Sequence, residues 1–166
     1  AASANLAVSE LMYHPADPTP AEISAGFIDA ELFEFIELTN IGSLNVDLSG
    51  VRFTEGIVFD FPDLTIAPGE RVVIARDRAA FLSRHPGAAA FLLDGEYYGP
   101  GNTNKLSNGG EELAISNSLG SDIRRFTYDN NLPWSTAPDG SGASLVLIAP
   151  ESNPDHGLAM SWRSSP

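Results

Sequence analysis

The chain of 166 residues has no cysteine. That absence removes disulfides, thiolate metal ligands and cysteine nucleophiles together, so the fold must rest on its hydrophobic core. Basic residues are also scarce: nine Lys and Arg stand against 22 Asp and Glu, for a formal net charge of -13. Polyanion binding draws its affinity from clustered cations that release counterions. Here the closely spaced pairs are Arg76/Arg78 and Arg124/Arg125, so nucleic acid and anionic lipid are disfavoured as partners. No run approaches the roughly 18 apolar residues of a membrane-crossing helix, which excludes direct membrane insertion by that route. Residues Ala1 to Leu6 lack the basic start and long apolar stretch of a signal peptide. The chain begins without Met and closes on Ser164-Ser165-Pro166, as expected of a piece of a longer protein whose export signal or anchor lies elsewhere.

What is present is a globular composition, with 43% hydrophobic and 19% charged residues, and enough length for one core. The apolar period is that of strands. Leu6 to Tyr13 forms an extended run halted by Pro15, Pro18 and Pro20, and Ala21 to Glu31 reads as an irregular loop or a helical turn. Phe33 to Thr39 carries large side chains on both faces, as a sandwich strand with one buried face would. Val51-Arg52-Phe53-Thr54 and Ile57 to Phe61 flank Glu55-Gly56 as a hairpin, and Ala67-Pro68-Gly69-Glu70 turns the chain into the apolar strand Arg71 to Ala75. Asp77 is placed to cap one short helix, Arg78 to Arg84, which Pro86-Gly87 ends. Glu111 to Asn117 and Asp122 to Tyr128 make a second hairpin, and Ala143 to Ile148 the last strand. From Ala149 the chain is rich in Pro, Asn, Ser and Gly, and reads as a linker over 149–166 toward a following domain. The sum is an all-β antiparallel sandwich over residues 1–148 with one short helix.

Five stretches occur in an order that resembles the lamin-tail domain of the exported bacterial type. They are Val8-Ser9-Glu10-Leu11-Met12-Tyr13-His14-Pro15, Glu34-Phe35-Ile36-Glu37-Leu38-Thr39-Asn40, Asp47-Leu48-Ser49-Gly50-Val51-Arg52-Phe53, Ile66-Ala67-Pro68-Gly69-Glu70 and Leu106-Ser107-Asn108-Gly109-Gly110-Glu111-Glu112-Leu113. The family often carries Trp after its Leu-Ser-Gly segment, where this chain has Val51. The resemblance implies an immunoglobulin-like sandwich without a catalytic site, serving as an interaction, targeting or spacer module beside other domains of an exported or cell-surface protein. The implied partners are those neighbouring domains and a protein or glycan on a cell surface.

Candidate chemistry read from the residues is sparse. His14, His85 and His156 are too far apart in sequence to form a ligand pair. Gly140-Ser141-Gly142 is not a nucleophile elbow, and Gly99-Pro100-Gly101 and Asn108-Gly109-Gly110 lack the Lys-Ser/Thr of a phosphate loop. Glu34/Glu37 and Glu111/Glu112 are the carboxylate pairs to consider for glycoside cleavage. Each pair differs in strand parity, which sends its members to opposite faces. Asp129-Asn130-Asn131 and Asp139-Gly140 offer oxygens to calcium, and Tyr97-Tyr98, Trp134 and Trp162 offer rings for sugar stacking, which frames a calcium-dependent carbohydrate module as the alternative. Turn formation is the commoner use of such Asx residues, and plugging the sandwich end the commoner use of Trp134. No catalytic residue, cofactor or metal ligand is expected, and the ligand-binding residues are left open.

Overall fold

The computed structural model describes residues 5–97 and 104–166. Among them twelve strands run in chain order: β1 (Leu6–Met12), β2 (Phe35–Asn40), β3 (Val46–Asp47), β4 (Arg52–Glu55), β5 (Phe59–Asp60), β6 (Thr65–Ile66), β7 (Arg71–Ala75), β8 (Leu92–Glu96), β9 (Gly110–Ser116), β10 (Asp122–Asp129), β11 (Leu145–Leu147) and β12 (Trp162–Ser164). One sheet has the order β12-β11-β1-β2-β7-β8, a second the order β10-β9-β4-β5, and β3 pairs with β6. Large apolar residues at alternate positions face each other across the gap. Val8, Leu11, Ile36, Leu38 and Ile74 come from the first sheet, and Phe53, Leu113, Ile115 and Phe126 from the second. Val51 is buried beside a phenylalanine cluster in which Phe53 stacks on Phe61 at 5.9 Å.

Four features depart from the sequence reading. First, the pairing is not wholly antiparallel, because β7 and β8 run parallel. A parallel neighbour needs a crossover, and the helix α2 (Arg78–Arg84) with the 3-10 turn Pro86–Phe91 supplies it. Asp77 caps α2 as expected, its Oδ1 accepting from Ala80 N at 2.9 Å. Second, α2 is not the one helix: the stretch read as an irregular loop or a helical turn begins with α1 (Pro20–Ser24), which opens on a Thr19/Glu22 capping box. Glu22 clasps Arg84 at 2.9 and 3.0 Å, and Arg84 lies 3.5 Å over the Phe33 ring.

Third, β2 is buried on both faces over its first half, since a second small core of Met12, Phe35, Val73, Phe81 and Leu92 lies beneath α2. Fourth, residues 150–164 are folded onto the sandwich rather than leading away from it as a linker. β12 pairs with β11 through Leu145↔Ser164 to Leu147↔Trp162. Trp162 is 5% exposed, stacks on Phe126 at 5.8 Å and donates from Nε1 to His156 O at 2.9 Å. His156 Nε2 accepts from Val8 N at 3.1 Å, while Nδ1 faces Pro154 O at 2.9 Å. Only the tautomer with its proton on Nδ1 satisfies both contacts. Burial, then the nearby Arg124 charge, holds this imidazole down to about 4, so it is neutral at pH 7.

Candidate interaction surface

An irregularity in β1 sets up the site. Leu6 and Val8 must face the core, and so must Leu11 and Tyr13, yet the two pairs differ in parity. The chain resolves this with a bulge: Val8 pairs with Leu38 and Glu10 with Glu37, leaving Ser9 as the extra residue. Ser9 and Glu10 then both serve the outer face. Ser9 Oγ donates to Glu37 Oε1 at 2.7 Å and accepts from Thr39 Oγ1 at 2.8 Å, while Ser144 Oγ donates to Glu10 Oε1 at 2.5 Å.

Across the outer face the register lines up Arg163, Val146, Glu10 and Glu37 on β12, β11, β1 and β2, with Arg71 opposite Thr39 on β7. Glu10 and Glu37 are direct cross-strand partners, an arrangement of like charges that disfavours folding. Burial raises the Glu10 carboxyl above its ordinary range, reinforced by the Glu37 charge and opposed by the Ser144 bond and by the charges of Arg71 and Arg163. Among the described residues neither glutamate has a cation within 4 Å.

Two open clefts share this strip, meeting at Glu37, Gly69 and Arg71. One, about 640 Å³, extends over Val146 and Ile148 to Arg163. The other, about 620 Å³, extends over Phe35, Val73 and Phe81 to His85 and Phe91. Each holds an exposed apolar residue, Ile148 at 43% and Phe91 at 49%. The Ala67–Glu70 turn forms their common border. Gly69 there has φ +76, which a side chain would strain, and its N–H donates to Asn40 O at 2.8 Å.

The residues singled out in the sequence are placed elsewhere or apart. Glu34 is buried, away from Glu37 on the outer face. Its Oε1 accepts from Leu106 N at 2.9 Å and Tyr97 Oη at 3.4 Å, and Oε2 has no hydrogen-bond partner among the described residues. Burial, partly offset by the Leu106 bond and the Arg76 charge, pushes this carboxyl up to about 8. Glu111 accepts from Ser107 N, whereas Glu112 binds Arg125. Arg76 is buried; Arg124 is half-buried against Leu6 O and Asn153.

The loops do bring His14, Asn130 and Asp139 together. His14 Nδ1 meets Asp139 Oδ1 at 2.5 Å, and Asn130 donates to Oδ2 at 3.0 Å. Asp129 Oδ1 is occupied by Asn131 N and Nδ2. No group of three or more His, Asp or Glu converges as a metal site among the described residues. His85 lies on the second cleft and His156 in the core. Ser141 Oγ donates to Ala137 O within its loop, and Asn108-Gly109-Gly110 turns into β9. Of the aromatic candidates for sugar stacking, Tyr97, Trp134 and Trp162 are all buried and so closed to a sugar, which for Trp134 agrees with the packing role favoured from the sequence. Tyr98 and Gly99-Pro100-Gly101 lie outside the described residues. Of the outer strip, Glu37 alone was a sequence candidate, as a partner of Glu34, although the parity change between Val8 and Leu11 signals the bulge that creates the strip.

Two facing sheets with this mainly antiparallel order define an immunoglobulin-like β-sandwich. The chain belongs to the Lamin Tail Domain family, whose model matches residues 1–130. The family's fold is non-catalytic and suits an interaction module. No curated protein and no solved structure matches the chain.

Proposed function

We propose that this domain is a non-catalytic interaction module of a larger exported or cell-surface bacterial protein, and that it holds polypeptide across the outer face of its six-stranded sheet. The observation that carries this reading is the open groove on that face. There a like-charge pair that weakens the fold is kept between two exposed apolar residues, Ile148 and Phe91. Features that disfavour folding concentrate where a protein binds something. The family membership and the acidic balance agree with it. Export is supported by the resemblance to bacterial modules of that kind.

The test places a photo-crosslinking residue at Val146, on the groove floor, or at the 88%-exposed Leu119, beside the other sheet. The full-length protein carries it in the cells that make it. The Val146 position captures a polypeptide and the Leu119 position does not, with the protein recovered outside the cytoplasm. Equal capture at both positions, or a purified domain that turns over a glycoside, ester or phosphodiester and loses this with a point substitution, overturns the reading.

A further inference from the structure

The groove has a definite order of chemistry along its length. Ile148 and Val146 lie at one end, Glu10 and Glu37 in the middle, and Val73 and Phe91 at the other end. These residues follow the strand order β11, β1, β2, β7 and the lead into β8. Four strand spacings of about 4.8 Å make about 19 Å, the length of roughly six extended residues at about 3.3 Å each. A segment laid across the strands therefore reaches both apolar ends at once. In an extended segment alternate side chains share a face, so apolar anchors six positions apart can straddle two cations at the positions between.

We propose that the groove binds an extended, basic segment of about seven residues in which one or two Arg or Lys side chains are flanked by large apolar side chains of the same parity. This rests on the interaction-module reading and names the partner class for it.

Charge complementarity carries the choice of a cation. Glu10 and Glu37 oppose each other in the ladder with no cation within 4 Å among the described residues, and the chain as a whole carries a net charge of -13. A guanidinium or ammonium between the two carboxylates relieves their repulsion and donates hydrogen bonds to their free oxygen lone pairs. Its alkyl stem lies along Phe35 and Val73, which form the groove floor beside Glu37. Arg71, where the two clefts meet, and Arg163, at the far end of one of them, favour a segment that also carries acidic groups beside its cations.

The experiment uses a fluorescein-labelled peptide containing Leu-Ser-Arg-Ser-Arg-Ser-Phe, titrated with the protein and read by fluorescence anisotropy. One comparison peptide has Glu for both Arg, and another has Ser for Leu and Phe. The parent peptide binds and weakens as salt rises, and both comparison peptides bind at least about tenfold more weakly. Glu10→Gln and Glu37→Gln each weaken binding about tenfold, Phe91→Ser weakens it severalfold, and Glu55→Gln on the other sheet leaves it unchanged. The melting temperatures of the two Gln variants stay at or above that of the unsubstituted chain, which separates lost binding from lost fold. The proposal is overturned if the acidic peptide binds as well, if Gln at both positions leaves binding intact, or if arginine amide alone matches the peptide. Such a failure with capture at Val146 preserved removes this partner class and leaves the module reading. Catalytic turnover removes the reading itself.

Discussion

Trp162→Ala tests whether residues 150–164 belong to the folded domain. The indole is buried, stacks on Phe126, lies 6.4 Å from the Trp134 ring and donates to His156 O. Truncating a buried Trp to Ala costs about 3–5 kcal/mol through lost burial and the cavity left behind. A domain of this size has roughly 5–15 kcal/mol of total stability, and about 1 kcal/mol moves its melting temperature by about 2–4 °C. The variant should therefore melt about 6–20 °C lower, by circular dichroism and calorimetry alike. Ending the chain after Ile148 removes more: Trp162, the β12 partner of β11, and the imidazole that accepts from the buried Val8 N–H. That chain should show no cooperative transition at 25 °C. If the shortened chain melts cooperatively within about 3 °C of the full one, the segment is a tether and the reasoning fails.

Two buried groups give stability opposite slopes with pH. His156 has a folded pKa of about 4 against an ordinary 6.5, so its contribution is complete above pH 6.5 and is lost as pH falls toward 4. That loss is about 3 kcal/mol, and His156→Gln should flatten this limb in urea titrations taken at several pH values. Glu34 is the reverse case, a carboxyl whose folded pKa is about 8 against an ordinary 4.5. Stability then falls as pH rises from 4.5 to 8, by up to roughly 5 kcal/mol, and Glu34→Gln should stand closest to the parent at pH 5 and above it at pH 8.5. Glu37→Gln removes the like-charge partner of Glu10 and keeps an acceptor for Ser9. It should raise stability by about 0.2–1 kcal/mol at pH 7; a loss in chemical denaturation would show that the two carboxylates do not repel.

How far the sequence could be read depended on how local each instruction was. The hairpins β4–β5 and β9–β10, the Pro68-Gly69 reversal and the Asp77 cap rest on neighbours in sequence, and all were legible. The opposite placement of Glu34 and Glu37 followed from parity alone. β8 escaped because Leu92-Leu93-Asp94-Gly95-Glu96 holds two apolar residues and no alternation; its place comes from parallel pairing with β7 and the α2 crossover. β12 escaped for a related reason. Three residues in a Pro, Asn and Ser-rich stretch show no period; they are held by pairing with β11, and the segment leading to them by a His156 to Val8 N contact that spans 148 positions. The outer strip was written in β1 as a change of parity, but its row of charges exists only once four strands are in register.

The outer face of the six-stranded sheet is most directly tested as a binding surface by nuclear magnetic resonance of the isotopically labelled domain. The basic peptide with flanking Leu and Phe is added stepwise. Amide shifts should concentrate at Ser9, Glu37, Thr39, Arg71, Phe91 and Val146, in proportion to the bound fraction, and vanish when Glu10 and Glu37 are both Gln. Shifts centred instead on Arg52, Ser116 and Arg125 of the opposite sheet, or none at saturating peptide, would contradict it.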